Sequence, residues 1–396
     1  MRKDKSIQII GFDAKRAAQN RTGLGNYSRF VVQGLCRYAS SWRLLLYAPH
    51  PRKTTALNGL DKEASVAMRY PTTTRGKCFR SLWRVWGMTS DLQRDGVQLF
   101  HGLSNELPLT IGRASNIKTV VTIHDLIFLR YPQYYKPVSR WIYHYKFRRA
   151  CRVADRIIAV SECTKRDIIH FFGTPADRIS VIYQGCDDQF RQPATAAKKA
   201  AVRERYQLPK RYILYVGSIE ERKNLKLLAE AMGKIDDETL EEVEVIAVGR
   251  RTRYADDVSA YLRSYDAQHP SKCSLASRFR MLSGVPFADL PALYQMADVF
   301  VYPSRFEGFG IPMLEALCSG VPAIGCTGSC LEEAGGPSSL YVDPDDAQAL
   351  ASAITRILTD DALRARMIAD GYRYADRFTQ EVLTKQLVAL YAQVML

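Results

Sequence analysis

Two glutamates with seven residues between them, Glu307 and Glu315, bracket the stretch Tyr302-Pro-Ser-Arg-Phe-Glu-Gly-Phe-Gly-Ile-Pro-Met-Leu-Glu315. The apolar run before it, Ala297–Val301, reads as a buried parallel strand. The run after it, Pro312–Cys318, reads as a helix, with Pro312 in the first turn, where a missing N–H costs nothing. Gly308 and Gly310 permit a tight loop and a close approach of backbone to a ligand. The first N–H groups of such a helix lack partners and carry the positive end of its dipole, which makes an anion site. One carboxylate lies on the loop before the helix and the other about two turns along it. A phosphate on the helix start, with a carboxylate on each side to accept hydrogen bonds from hydroxyls, suits a sugar nucleotide. A strand, glycine loop and helix occur in any doubly wound domain, so the unit alone is also compatible with plain scaffold.

The elements needed to position these groups recur along the chain. Tyr212–Val216 reads as a strand, followed by the loop Gly217-Ser218-Ile-Glu220-Glu-Arg222-Lys223-Asn224 and a helix from Leu225 to Met232. Val243–Val248 and Arg280–Leu282 are further strands, the latter followed by Ser283-Gly284-Val285-Pro286. In the first half, Ile7–Phe12 is a strand leading to Gly23-Leu-Gly25 and a helix from Tyr27 onward. Val97–Gly102 and the β-branched Lys118–Ile123 are strands, and the second ends in His124-Asp125. Ala154–Val160 and Arg178–Tyr183 follow, with Ser161 as N-cap of a helix from Lys165 to Phe172. Alternating strands and helices predict an α/β protein with parallel sheets. Residues 188–210 read as a linker and a short helix, and the tail from Asp345 is helical, ending in a helix from Gln380 to Leu396.

The Glu-x7-Glu string Glu307–Glu315, with its Gly-Phe-Gly centre, resembles that of the retaining family-4 (group 1) glycosyltransferases, and the resemblance covers nearly the whole chain. It implies the GT-B fold: two Rossmann-like parallel-sheet domains facing across a cleft, here 1–187 on the acceptor side and 188–378 on the nucleotide-sugar side. Residues 379–396 would be a helix crossing back to the first domain. It implies transfer of a hexose, with mannose as the expected sugar and GDP-mannose as the expected donor, to a glycan or lipid-linked acceptor with retention. The site residues carried over are His124 facing the transferred sugar, Arg222 and Lys223 on the diphosphate, Glu307 on sugar hydroxyls and Glu315 on ribose hydroxyls. Gly23 and Gly25 of the first loop, Gly217, Ser218, Val285, Gly308, Phe309, Gly310 and Ile311 complete the donor site. Two positions depart from the family pattern: Ser218 stands where many members have Arg, and Gln184 where Asn is usual.

Such a transfer must stabilise a leaving diphosphate and an oxocarbenium-like sugar. A metal on Asp-x-Asp, or Arg/Lys with helix N-termini, can hold a diphosphate. Asp343-Pro-Asp345-Asp346 sits in a turn before a helix, where Asp is an ordinary cap, so no metal or other cofactor is expected. A nicotinamide-dependent Rossmann enzyme would need Gly-x-Gly-x-x-Gly after the first strand, and that is absent. A non-catalytic nucleotide- or anion-binding module with a relict fold is the remaining alternative.

Composition sets the outer bounds. The chain has 396 residues, 47% of them hydrophobic, enough for two cores. No apolar run approaches a membrane span. Nine scattered cysteines fit no zinc or redox spacing and suggest a reducing cytoplasm. The net charge of +15 is uneven, with 31 Lys+Arg against 14 Asp+Glu in residues 1–190. An anionic partner is expected there, either a membrane surface or a lipid-diphosphate acceptor; no nucleic-acid motif is present. Within residues 72–93, Arg75, Lys77, Arg80 and Arg84 interleave with Phe79, Leu82, Trp83, Val85, Trp86 and Met88, the composition of an interfacial helix or equally of a core-packed helix with a solvated basic face. Residues 130–152, rich in Tyr, Trp, Arg and Lys, are expected to cover the acceptor side.

Overall fold

A computed structural model describes residues 8–20, 22–51, 54–57, 59–73, 77, 79–114, 116–270 and 273–396. The N-terminal residues through Ile7, and Arg75, fall outside the described residues. The chain divides into two units, one running to Gly185 and completed by Phe378–Leu396, the other Cys186–Arg377.

The first unit is built on a seven-stranded sheet, β3-β2-β1-β4-β5-β6-β7. Its strands are β1 (Ile9–Asp13), β2 (Arg43–Tyr47), β3 (Val66–Arg69), β4 (Leu99–Gly102), β5 (Lys118–Ile123), β6 (Arg156–Ala159) and β7 (Ile179–Val181). The second has six strands, β8 (Arg211–Val216), β9 (Val243–Val248), β10 (Phe279–Leu282), β11 (Val299–Tyr302), β12 (Ala323–Cys326) and β13 (Leu340–Val342). Their order is β10-β9-β8-β11-β12-β13. Every pairing is parallel. Parallel strands are covered on both faces, so they read as apolar runs rather than alternations. This is why β11 and β5 are visible in the sequence. Four strands, β2, β3, β12 and β13, were not read there; Ala-Ile-Gly-Cys and Leu-Tyr-Val are too short to carry a period.

Both orders reverse once, between β1 and β4 in the first sheet and between β8 and β11 in the second. In open α/β sheets the crevice for ligands lies outside the carboxyl ends of the strands at such a reversal.

The helix expected from Tyr27 begins earlier, at Gly23, and runs to Tyr38. Gly23 and Gly25 therefore belong to its first turn, not to a preceding loop. A Cβ on Gly25 would sit 1.9 Å from the carbonyl oxygen of Asn20, so this glycine is required by backbone packing. The C-terminal helix, Gln380–Met395, packs against Gly23–Tyr38 within the first unit. Its Tyr391 hydroxyl meets His101 Nδ1 at 2.5 Å, His101 Nε2 meets Thr122 Oγ1 at 2.8 Å, and Thr122 meets the Tyr27 hydroxyl at 3.0 Å. Burial pushes His101 down to about 3, so this chain of partners holds a neutral imidazole at neutral pH.

The interfacial reading of residues 72–93 is corrected in part. Trp83 is 4% exposed and donates its indole N–H to Asp91 Oδ2 at 2.7 Å, because an indole donor inside a core needs an acceptor. Arg84 is drawn inward by Asp13 and Glu106. Phe79, Leu82 and Trp86 are the exposed members.

Gly34 marks the tightest approach of the two helices: a Cβ there would lie 2.1 Å from Thr384 Oγ1. Gly34→Val should cost about 1–3 kcal/mol through overpacking, read as a lower urea midpoint. Combining it with Thr384→Ala should recover most of the loss; equal stability of wild type and Gly34→Val would refute this account.

Candidate functional site

The loops that follow β8 and β11 meet at the reversal of the second sheet, and one carboxylate organises them. Glu307 Oε1 accepts from the Tyr302 hydroxyl and the Ser304 hydroxyl, each at 2.8 Å, and pairs with Arg222 Nη1 at 2.8 Å. Lys223 Nζ stands 3.8 Å from the same oxygen and donates to the Tyr302 hydroxyl at 2.8 Å. Among the described residues nothing bonds Oε2, which leaves that oxygen to accept from a ligand. Burial alone would raise the Glu307 carboxyl; Arg222, Lys223 and the two hydroxyls outweigh it and bring it down to about 2. Glu307 is an anion at every ordinary pH.

Arg222 was expected to grip a diphosphate. The structure commits it elsewhere: its guanidinium pairs with Glu307 and with Glu220 at 2.8 Å and donates to the carbonyl of Phe306. Burial works against its charge, and the two carboxylates raise its pKa in spite of that. The backbone closes the brace, with Arg305 N–H donating to the Arg222 carbonyl at 2.9 Å. Lys223 lies across the end of β8. A Cβ on Gly217 would stand 3.1 Å from its Cδ and Nζ, a tight contact to which the lysine end would have to yield. Ser218 accepts from the Tyr215 hydroxyl through its carbonyl at 3.1 Å. The end of β10 joins this edge. Ser283 Oγ donates to the carbonyl of Gly249 at 2.9 Å, and Val285 sits half-buried two residues on.

Gly308, Phe309 and Gly310 carry the chain from Glu307 into the helix Ile311–Cys318. Gly310 has φ +105°, a conformation that disfavours any side chain, and a Cβ there would meet Leu331 at 2.7 Å. Phe309 is buried, and the Glu307 carbonyl accepts from the Cys330 thiol at 3.0 Å. On the helix, Glu315 is 8% exposed and accepts from the Tyr294 hydroxyl at 3.0 Å. Burial raises its carboxyl to about 7, against the opposing pull of Tyr294, with Asp187 adding to the rise. Tyr294 lies on the preceding helix, Leu290–Gln295, and no motif in the sequence points to it.

His124, Gly23 and Gly25 belong to the first unit. His124 is buried with both ring nitrogens engaged: Nε2 donates to the Leu103 carbonyl at 2.9 Å, and Nδ1 accepts from the Gln184 amide at 2.8 Å. Burial brings it down to about 4, with the Arg16 charge acting in the same direction, so the ring is neutral. Proton transfer through it would require breaking one of these bonds. The Leu103 carbonyl, which can only accept, puts the ring proton on Nε2, and Gln184, the departure noted in the sequence, satisfies the other nitrogen.

Asp343, Asp345 and Asp346 act as caps and pairs. Asp346 caps the helix Ala347–Thr359 through Ala349 N–H, Asp343 accepts from Asp345 N–H, and Asp345 pairs with Arg305 at 2.6 Å. Among the described residues no group of three or more His, Cys, Asp or Glu gathers as a metal site.

Comparison with known proteins agrees with this geometry. Residues 23–190 match the model described as Glycosyltransferase Family 4, and residues 198–374 that described as Glycosyl transferases group 1. The chain is 34% identical over 295 residues to O-antigen chain mannosyltransferase B of Escherichia coli, covering 74% of each chain. It is 28% identical over 289 residues to the serotype-specific mannosyltransferase WbdA of the same species, covering 72% of this chain and 34% of that longer protein. Among solved structures, HepE of Anabaena in complex with UDP and glucose superposes with a TM-score of 0.72 at 17% identity, over 98% of this chain and 100% of that one, a likeness of fold.

The environment of Glu315 has a consequence for stability. Its carboxyl ionises near pH 4.5 when unfolded and near 7 when folded, so the folded state binds the proton more tightly. The stability this contributes is complete below about pH 4.5 and lost as pH rises through about 7. Glu315→Gln, a neutral isostere, should therefore match the wild type at pH 5 and exceed it at pH 8 by on the order of 1–3 kcal/mol. Denaturant unfolding at the two pH values checks this; a variant less stable at pH 8 would refute it.

Proposed function

The chain belongs to the group 1, family 4 glycosyltransferases, and from that premise we propose that it transfers mannose from GDP-mannose to a glycan or lipid-linked acceptor with retention of configuration. The mannosyltransferase relatives support the sugar. The observation that carries the donor site is Glu307: one oxygen bonded by Tyr302, Ser304 and Arg222, the other without a partner among the described residues, at the reversal of the second sheet.

In this reading the second unit binds the nucleotide sugar. Glu307 Oε2 accepts from hydroxyls of the mannose and acts more strongly as positive charge develops on the ring. Lys223 and the first N–H groups of Ile311–Cys318 take the diphosphate, and Gly308–Ile311 bring the backbone close to it. Arg222 acts mainly by holding Glu307 ionised and oriented. Glu315 accepts from ribose hydroxyls, with Gly217, Ser218 and Val285 along the same strand ends. In the first unit, Lys15 and Arg16 are half-buried cations with no carboxylate in ion-pair reach among the described residues, beside the helix start at Gly23 and Gly25. His124 presents a fixed neutral ring. The acceptor hydroxyl attacks the anomeric carbon on the face the diphosphate leaves, and the leaving phosphate oxygen takes its proton. Basic residues and helix N-termini do this without a metal.

Turnover of GDP-mannose in EDTA tests the reading, with UDP-glucose as the contrasting donor. GDP-mannose should be consumed, and Glu307→Gln should lower kcat by about 10²-fold while GDP affinity stays nearly unchanged. Dependence on added manganese, preference for UDP-glucose, or a joint loss of kcat and GDP binding would each refute a part of it.

We also place the enzyme at the cytoplasmic face of a membrane. The helix Pro137–Val153 carries exposed Val138, Trp141 and Tyr145 with Arg140, Lys146, Arg148, Arg149 and Arg152, and no acidic residue. No described helix is long and apolar enough to cross a bilayer. Such a helix suits the headgroup region of anionic lipid. The chain should float with vesicles containing phosphatidylglycerol and not with phosphatidylcholine alone, and salt should weaken the association. Trp141→Ser should reduce it; indifference to lipid charge would refute this docking.

A further inference from the structure

Lys223 and Glu307 carry opposite charges on neighbouring loops, yet they stop short of a direct ion-pair hydrogen bond. Lys223 Nζ stands 3.8 Å from Glu307 Oε1, against about 2.8 Å for an ammonium donating to a carboxylate. The two side chains are only 15% and 14% exposed, so water screens their attraction weakly. What stands at both charges is the hydroxyl of Tyr302, the last residue of β11. It accepts from Lys223 Nζ at 2.8 Å and donates to Glu307 Oε1 at 2.8 Å. Tyr302 is 1% exposed, with its ring stacked on Phe300 and set against Tyr215, so the hydroxyl has a fixed place. Burial first, and the Glu307 charge second, push this hydroxyl well above its usual pKa, and it stays a neutral O–H. An ammonium has three donors. Among the described residues Lys223 uses one of them, toward Tyr302.

We propose that Tyr302 is a positioning residue that holds Lys223 off Glu307, so that the lysine stays available to the diphosphate of the donor and the carboxylate to its sugar. The proposal rests on the transferase reading above and adds to it the residue that keeps its two charges from neutralising each other. A spacer of this kind has three requirements. It must be neutral, since a charged group would bind one partner and repel the other. It must accept and donate at one atom, which a hydroxyl does and an ammonium or an ionised carboxylate does not. It must be rigid, and Tyr302 is fixed by a strand end and two aromatic neighbours, not by a loop. Without the hydroxyl the ammonium loses its one partner among the described residues, and the nearest replacement is Glu307 Oε1. Closing from 3.8 Å to about 2.8 Å would turn its donors toward the carboxylate and away from a phosphate. Arg222 and Ser304 bond the same oxygen, so Glu307 keeps partners that hold it ionised whether the lysine closes on it or not.

The test is calorimetric binding of GDP and of inorganic pyrophosphate to the full chain, in wild type, Tyr302→Phe, Glu307→Gln and the double variant. Tyr302→Phe removes one oxygen and keeps the ring. It should weaken both ligands about tenfold or more. Glu307→Gln should bind near wild type. The double variant should bind like Glu307→Gln alone, because no carboxylate remains for the lysine to close on. A merely structural tyrosine would give the same loss in both backgrounds. Equal losses, or unchanged affinity in Tyr302→Phe, would overturn the proposal. Should the phenylalanine variant not fold, NMR of wild type decides: on adding pyrophosphate the Lys223 ammonium signal should move while the Tyr302 hydroxyl proton keeps its bond to Glu307, and a hydroxyl set free would overturn the proposal. GDP-mannose turnover is followed in the same samples. Its absence with the binding pattern intact would count against the transferase reading alone, whereas a wild type that binds neither GDP nor pyrophosphate would overturn both.

Discussion

The second unit depends on keeping one buried carboxylate charged. Taking Glu307 out of water carries a penalty of several kcal/mol that only well-placed partners offset. Arg222, Lys223, Tyr302 and Ser304 supply that compensation from two loops, after β8 and after β11. The charge therefore holds the two loops together across the reversal of the sheet. The glycines follow from it. Gly217 leaves Lys223 room to lie across the strand end, and Gly310 adopts a left-handed conformation where the chain leaves Glu307 and enters the helix.

Two glutamates one motif apart end in opposite states. Glu307 is held down to about 2 by cations, whereas Glu315, with a tyrosine hydroxyl as its hydrogen-bond partner, is raised to about 7 by burial. Environments that push like groups apart assign them different work. A permanent anion suits a site where positive charge develops during reaction. A carboxyl near its midpoint at neutral pH suits recognition, since hydroxyl donors that stabilise the anion complete the environment that the fold leaves unfinished. The buried Glu315 also holds the fold below its best stability above neutral pH.

Legibility in the sequence followed the range of the interactions. The strand, glycine loop and helix around Glu307 lie within 20 residues, Val299 to Cys318, and the apolar run and Gly-Phe-Gly announce them. Gly217 and Lys223 were legible for the same reason. What was lost is what tertiary contact decides. Tyr294 reaches Glu315 across 21 residues, Gln184 reaches His124 across 60, and Arg84 reaches Asp13 across 71. Trp83 and Arg84 stayed undecided between an interfacial and a core-packed helix because an alternation of cations and aromatics does not reveal which face turns inward. Here Asp91, Asp13 and Glu106, separated from the pair or far off in sequence, turned both residues into the protein.

The two units use one device at equivalent places. In the second, Arg222 bridges Glu220 and Glu307; in the first, Arg84 bridges Asp13 and Glu106, and each bridge stands at the reversal of its sheet. A guanidinium is a rigid fork of donors that stays charged when buried, so it fixes two carboxylates in orientation as well as in ionisation. The oxygens it does not use then face outward as acceptors with no donors of their own. That leaves a surface that selects hydroxyls over other oxygen ligands, because a carbonyl or a phosphate brings no proton to it. The arginine comes from the local loop in the second unit, two residues from Glu220, and from 71 residues beyond Asp13 in the first.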